Sequence, residues 1–419
     1  MKNSQSLTLQ TTQRLSVERS RLGRTSVAHL LIVRAAAIFA LALAAIVPRV
    51  THAETRVVQV PSSILGETRT VHVSLPANYR IARQRYPVVY LLDGQVRAFF
   101  ELTVATTGYD LLGDQHGFAM PPQIVVGIEQ RDRGIDLSRN AALFSRFLTE
   151  ELIPYVERSF RTVPFRSLVG HSLGGRFALE ELCRAPDTFA AIIAISASLP
   201  DSALAGVKSC LRSDFAAGGA RARSLVLCVG EQEPRMRGAT AQLASFIRDS
   251  APSRWRVLDV PGTGLGHTDT PLAAIPPGLR FVYDKSVWEM PYTAADSMLE
   301  REGDVVARLD RELAALSARV GYRASASAKW LELVTRTMLT RGGLEQAVSA
   351  AQRMIDAYPE LLAGYTLLAD AQVRRHDDAA ARRSIQDALE LLNRIESFDE
   401  TQRESQRVSL RASLAALAR

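Results

Sequence analysis

The sequence predicts an α/β fold, a central sheet with helices on both faces, followed by an all-helical module. Three observations predict it. Short apolar runs alternate with amphipathic stretches for about 220 residues after Thr55, the pattern of strands joined by helical crossovers. One of those runs leads into Gly170-His171-Ser172-Leu173-Gly174, and an apolar helical segment follows, giving strand, sharp turn and helix in succession. From Ala294 onward strand signals almost vanish, and apolar residues recur at helical spacing instead.

A chain of 419 residues can hold two or three domains with a sizeable core. The net charge of +7 invites a nucleic-acid reading, but its location argues otherwise. Residues 1–53 hold Lys2, Arg14, Arg19, Arg21, Arg24, Arg34 and Arg49 against a single acid, Glu18, so the rest of the chain carries only +1 of the +7. No nucleic-acid partner is expected. The basic stretch leads to an apolar run from Ala35 to Val47, then Pro48, with Thr51-His52-Ala53 as a cleavage site. Residues 1–53 therefore read as a signal peptide, and the mature protein as periplasmic or secreted. The alternative is an uncleaved N-terminal membrane anchor. The run is short for a membrane span, so no stable span is expected once the signal is removed. Cys183, Cys210 and Cys228 have no metal-ligand spacing, and neither a metal nor a cofactor is expected. Cys228 lies in an apolar run and reads as a buried small hydrophobe. A Cys183–Cys210 bridge is compatible with an oxidising compartment.

In chain order, Arg56 to Val60 and Arg69 to Leu75 alternate apolar and polar residues around a Leu65-Gly66-Glu67 turn, predicting an antiparallel hairpin at a sheet edge. Tyr86 to Leu92 is continuously apolar, as a strand buried on both faces should be, and ends in Asp93-Gly94-Gln95. Pro122 to Ile128 is the next such strand. The polar stretch from Gln130 to Asn140 reads as a loop that lines a pocket with Arg131, Arg133 and Arg139. Ala141 to Phe160 follows as an amphipathic helix. Further buried strands are expected at Ala190 to Ala197, Ser224 to Val229 and Trp255 to Val260. These bound an α/β domain over 54–290, with a helical domain over 294–419. In the latter, Leu331, Val334, Ala347 and Met354 match Tyr365, Leu368, Ala381 and Ala388 at an offset of 34 residues. That period resembles tetratricopeptide helix pairs, although Thr335 and Ala369 stand where the first helix should carry glycine. Such a module packs or binds a protein partner and does no chemistry.

The Gly170–Gly174 turn has the form G-x-S-x-G, the nucleophile elbow of α/β-hydrolases. Side chains at Gly170 and Gly174 are expected to collide with the neighbouring strand and helix, and Ser172 to sit in a strained turn. A serine nucleophile needs a base. Of the seven histidines, His29 and His52 lie in the leader, His376 in the helical module and His72 on the edge hairpin. His171 adjoins Ser172, so its side chain should point away from the hydroxyl. His116 precedes the nucleophile, out of order for this fold. His267 remains, 95 residues after Ser172 and in a glycine-rich stretch beyond the last strand. The third member should be an acid at a strand end between them. Glu231 and Glu233 follow one strand; Asp259 and Asp269 are weaker choices, and Glu180 and Glu181 are badly placed on the elbow helix. Glu233 is the choice, with a Ser–His dyad as the alternative. Two backbone N–H donors should form an oxyanion hole: Leu173, after the nucleophile, and Gln95 or Gly94.

With these residues placed, the chain from about Ala53 to Asp284 resembles the esterase D-like esterases of the α/β-hydrolase superfamily. That group includes S-formylglutathione hydrolases, feruloyl and acetylxylan esterases, ferri-siderophore trilactone esterases and mycolyl transferases. The matching stretches are Val88 to Gly94, Val126-Gly127-Ile128, Arg133 to Leu137, Phe147 to Arg161, Gly170 to Gly175 and Gly230 to Glu233. The resemblance implies an exported serine esterase acting on a small-molecule ester. Ser172 would be the nucleophile, His267 the base, Glu233 the acid, and Leu173 and Gln95 the oxyanion donors. A thioesterase or acyltransferase on the same triad is an alternative activity. A non-catalytic scaffold that binds partners through its repeats is the alternative class.

Overall fold

The computed structural model describes residues 54–77, 79–109, 120–217, 223–284, 288, 303–395, 398 and 400–418. The leader, its cleavage site and His116 lie outside them. Eight strands form one sheet in the order β1-β2-β4-β3-β5-β6-β7-β8. They are β1 Glu54–Ser62, β2 Glu67–Leu75, β3 Tyr86–Leu92, β4 Ile124–Ile128, β5 Thr162–His171, β6 Ala191–Ile195, β7 Arg223–Gly230 and β8 Trp255–Gly262. The expected edge hairpin is present: β1 and β2 pair antiparallel from Glu54↔Leu75 to Ser62↔Glu67. β2 also runs antiparallel to β4. All pairs from β4 to β8 are parallel, as the helical crossovers require.

Every residue of β3 is buried, because both faces of the sheet are covered. Val88, Tyr90 and Leu92 join one apolar cluster with Phe144, Phe147 and Phe177. Val89 and Leu91, on the opposite face, join another with Ile275, Leu279 and Tyr283. The covering helices are α1 Arg97–Tyr109, a helical run of Ala141–Arg146, Phe147–Leu152 and Ile153–Ser159 (α2), α3 Leu173–Arg184, α4 Asp201–Ala216, α5 Pro234–Ser250 and α6 Thr270–Val282. The predicted loop before α2 is partly helical. Ile135–Arg139 forms one wide turn, closed by the Asn140 N–H donating to the Ile135 carbonyl five residues back. The Arg69 guanidinium pins this turn to β2 through a bidentate pair with the buried Asp136 carboxylate, at 2.6 and 2.7 Å.

Cys183 of α3 and Cys210 of α4 form a disulfide with a Cα–Cα distance of 6.0 Å. Cys228 is free and buried in β7, and burial raises its thiol pKa to about 11. The bridge spans 27 residues, so the chain-entropy relation gives a contribution of about 3.5 kcal/mol. Replacing both cysteines by serine should lower the chemical-denaturation midpoint without changing the circular dichroism of the native state.

The chain divides into two compact units. The sheet unit includes Ala307–Ser325, most of helix α7 Val305–Val320, whose Leu316 and Val320 belong to the cluster around Tyr283 and Trp288. The other unit includes Ala326–Arg419 and is all-helical: α8 Ala328–Arg341, α9 Leu344–Ala357, α10 Leu362–Arg374, α11 Asp378–Leu392 and α12 Glu400–Ala416. The starts of α8 and α10, and those of α9 and α11, are both 34 residues apart. Local signals set the ends. The Ser327 hydroxyl accepts from the Trp330 N–H and caps α8, and Gly342 closes it in the left-handed region. Asp377 caps α11 through the Ala380 N–H at 3.0 Å. Small residues, Ala347, Ala350 and Ala351, line the buried face of α9.

Candidate active site

The loops at the carboxyl ends of β3, β5, β7 and β8 carry the residues singled out in the sequence, as expected for an open parallel sheet. Ser172 occupies the turn between β5 and α3 with φ 59° and ψ −114°. A non-glycine residue in that region costs about 1–3 kcal/mol, which the surrounding hydrogen bonds must hold in place. The Ser172 N–H donates to the Ile195 carbonyl at 2.8 Å, and its own carbonyl accepts from Arg176 and Ser198, both at 3.0 Å. Two glycines permit the turn, and one of them differs from expectation. A Cβ at Gly170 would lie 2.2 Å from the Gly174 carbonyl oxygen, so that position admits no side chain. A Cβ at Gly174 would only touch Asp93 and Leu92 at 3.4–3.5 Å. The second obligatory glycine is instead Gly175, where a Cβ would sit 2.9 Å from the Ile195 carbonyl oxygen.

Ser172 and His267 line one cavity of about 250 Å³, with Asp93, Val96, Phe99, Arg133 and His171 as the other lining residues. His267 Nδ1 lies 2.5 Å from Glu233 Oε1. A carboxylate accepts, so Nδ1 carries a proton, and in the neutral imidazole Nε2 keeps its lone pair. Glu233 is buried at the start of α5. Its Oε2 accepts from the Ser196 hydroxyl at 2.6 Å and from the Gly230 N–H at 2.8 Å. Burial pushes the Glu233 pKa up, but the hydrogen bonds from Ser196, His267 and Gly230 outweigh it and hold the carboxyl below its ordinary range. The group is therefore ionised at neutral pH and oriented on both oxygens.

The competing acids are engaged elsewhere. Glu231 Oε2 accepts from the Gly264 N–H at 2.8 Å, and Asp259 pairs with Arg248 at 2.6 Å. Asp269 faces the Gly266 N–H at 3.4 Å. Glu181 is buried against Ser145 and Arg184 on the elbow helix. Of the two donors considered in the β3 loop, the Gly94 N–H is used on the Ile128 carbonyl at 2.8 Å. The Gln95 side chain accepts from the Gln130 N–H at 3.1 Å, which ties its loop to the end of β4. Leu173 is the first residue of α3, where backbone N–H groups have no intrahelical acceptor and the helix dipole is positive.

Three features of the site were not foreseen. Ser196 and Thr270 form a hydroxyl pair 2.8 Å apart, Ser196 serving Glu233 while Thr270 donates to the His267 carbonyl at 3.0 Å. Ser196 has φ 44°, another strained residue behind the site. His171 was expected to point away; its imidazole in fact lines the cavity and packs on the His267 ring, with centroids 4.5 Å apart. Of the three loop arginines, only Arg133 lines the cavity. Its guanidinium grips the buried Asp93 carboxylate at 2.5 and 3.0 Å, whereas Arg131 pairs with Glu67 at 2.7 Å and Arg139 approaches Asp132 at 3.8 Å. A single sequence carries a signal for Asp93 alone, as the residue that ends a buried strand before Gly94.

Residues 62–258 match the family model described as "Putative esterase". That span runs from the end of β1 into β8 and contains Ser172 and Glu233. The ferri-bacillibactin esterase BesA of Bacillus subtilis (strain 168) is 30% identical over 170 residues, covering 32% of this chain and 55% of that protein. The chain thus spans about half the length of the curated relative it matches. Among solved structures, an IroE-like serine hydrolase from Shewanella oneidensis superposes with a TM-score of 0.59 at 21% identity, over 72% of this chain and 99% of that one. An uncharacterised protein from Capnocytophaga ochracea DSM 7271 does so with a TM-score of 0.56 at 17% identity, over 80% and 94%. At those identities the two structures speak for the fold. Over residues 62–258 the sheet domain is thus similar to the putative esterases, and its fold is that of the two solved structures.

Proposed function

We propose that this protein is an exported carboxylic-ester hydrolase working through an acyl-Ser172 intermediate. The observation that carries the reading is the ionised, doubly anchored Glu233 on Nδ1 of His267, in the cavity that also holds Ser172. Nε2 of His267, left with its lone pair, takes the Ser172 proton as Oγ attacks the ester carbonyl. The imidazolium so formed faces the Glu233 carboxylate and returns the proton to the leaving alcohol. Water, deprotonated by the same nitrogen, then releases the acid. The N–H groups of Leu173 and Gln95 are the proposed donors to the oxyanion. A fluorophosphonate probe tests this directly: it should label Ser172 in the folded protein, and an unlabelled folded protein would reject the reading.

The resemblance to ferri-siderophore trilactone esterases, together with a relative named a ferri-bacillibactin esterase, directs the substrate proposal to siderophore lactones. The cavity walls are mixed, Val96 and Phe99 being apolar and Arg133 cationic but already paired with Asp93. An aromatic or catecholate acyl group suits that lining. On a panel of esters, Arg133→Ala should lower the rate on anionic relative to neutral substrates by about 10-fold, the worth of one charged hydrogen bond. Arg131→Ala should leave the ratio unchanged, because Arg131 faces Glu67. Equal ratios in both variants would mean that charge is not read.

Export is supported by the Cys183–Cys210 bridge, which persists in oxidising compartments, together with the leader. The second reading, a partner-binding scaffold, is favoured by one observation, the 34-residue repeat of helix starts in the helical unit. In both readings these helices form a tetratricopeptide-like surface for a protein partner and supply no catalytic side chain.

A further inference from the structure

His171 takes no part in the chemistry proposed above, yet three loops of the site converge on it. Its Nε2 lies 2.9 Å from the backbone carbonyl oxygen of His267. A carbonyl only accepts, so Nε2 must carry the proton. Its ring packs against the His267 ring, with centroids 4.5 Å apart and planes at 41°, and also meets Phe99 edge-on at 5.6 Å. Its own backbone carbonyl accepts from Arg133 Nη2 at 3.2 Å, and the same guanidinium grips Asp93, which opens the loop bearing Gln95.

The base loop is tied to the residues after β7, where Glu231 accepts from the Gly264 N–H and the Gln232 N–H donates to the Leu265 carbonyl, but these bonds do not reach β5. His267 follows Gly262, Gly264 and Gly266, with Gly264 at φ +73° and open space around its Cβ position, and its side chain is 37% exposed. Glu233 fixes the imidazole at Nδ1 but not the backbone that carries it. The His267 carbonyl receives two donors, the Thr270 hydroxyl from α6 and the His171 N–H from the elbow. Only the second ties the base to the strand that presents the nucleophile.

We infer that His171 is a positioning residue, whose Nε2–H holds the His267 backbone at working distance from Ser172 and so couples the base loop to the elbow. This rests on the roles given above to Ser172 and His267. The charged and titratable groups facing His171 are Asp93, Arg133 and His267. Burial, the largest influence, lowers the His171 pKa and keeps the ring neutral. Neutrality matters, because a second imidazolium stacked on the base would oppose the charge that His267 gains in each turnover.

The experiment first treats the unaltered protein with diisopropyl fluorophosphate. Labelling of Ser172 upholds the underlying reading, and its absence rejects that reading rather than the role of His171. His171→Phe and His171→Gln are then compared on p-nitrophenyl acetate, with thermal midpoints as the check on folding. Phe keeps a ring over His267 but has no N–H; Gln can donate to the carbonyl. The expected result is a kcat lower by about 10²-fold in His171→Phe, the effect of displacing a reacting group by about 1 Å, with recovery of most of that loss in His171→Gln. KM should change less than kcat in both, since each replacement keeps a side chain of similar reach in the cavity wall. Unchanged kcat in His171→Phe, or equal losses in both variants, would overturn the inference. A measurement on the unaltered protein stands independently of how the variants fold. In ¹⁵N-histidine spectra at about pH 8, His171 should appear as the neutral Nε2–H tautomer, and an Nδ1–H tautomer there would equally overturn it.

Discussion

Ser172→Ala should abolish ester turnover, lowering kcat by at least about 10⁴-fold, the scale on which removing a triad nucleophile acts. The physical reason is the absence of a substitute. The cavity holds no other hydroxyl or thiol among its lining residues, and Cys228 is buried within β7. The fold should survive, because the bonds that hold the elbow run through the Ser172 backbone to Ile195, Arg176 and Ser198, not through Oγ. Alanine at φ 59° keeps the strain the serine already bears. Steady-state rates on a short p-nitrophenyl ester, with the thermal midpoint measured alongside, check the expectation.

The second large effect is expected at Glu233, and its form separates a triad from a dyad. In Glu233→Gln the side-chain oxygen can still accept from Ser196 and Gly230, so the fold and the buried pair are kept. The amide nitrogen must then face His267 Nδ1, where the carboxylate oxygen lies at 2.5 Å. An N–H facing Nδ1 forces that nitrogen to accept, which moves the imidazole proton to Nε2 and removes the lone pair that takes the Ser172 proton. Loss of the correct tautomer in this way is worth about 10⁴-fold in kcat. Glu233→Ala should lose activity comparably but also stability, since it leaves the buried Gly230 N–H without its acceptor, at about 1–3 kcal/mol. A rate in Glu233→Gln within about tenfold of the unaltered protein would mean a dyad.

Much of the frame was legible in the sequence because it follows from local pattern. Tyr86 to Leu92 is apolar throughout, and only a strand covered on both faces wants that. The strand–turn–helix around Ser172 announced itself through Gly170, whose missing Cβ makes room for the Gly174 carbonyl. Chain order and scarcity singled out His267. What could not be read are pairings across the fold. Ser196 looks like any serine after a strand, and only the closing of β6 beside β7 brings it to Glu233, 37 residues away. Thr270 is likewise an ordinary residue at a helix start until the sheet sets it 2.8 Å from Ser196. Arg133 read as one of three equivalent loop charges, because nothing local distinguishes a guanidinium that finds Asp93 from one that finds Glu67. His171 was assigned by the rule that neighbours in a chain point apart, which says nothing of what lies on the far side. Helix α7 has the amphipathic spacing of a bundle helix, and the same spacing serves equally well against the sheet cluster around Trp288, where Leu316 and Val320 are found.

The central claim, an acyl enzyme on Ser172, is tested most directly by trapping it. The protein is mixed with p-nitrophenyl acetate, quenched in acid during the pre-steady state, digested and mapped by mass spectrometry. The account predicts a burst of nitrophenol matched by one acetyl group on the peptide that contains Ser172, absent in Ser172→Ala. Steady hydrolysis with no acylated peptide, or acetyl found on another residue in proportion to the burst, would contradict it.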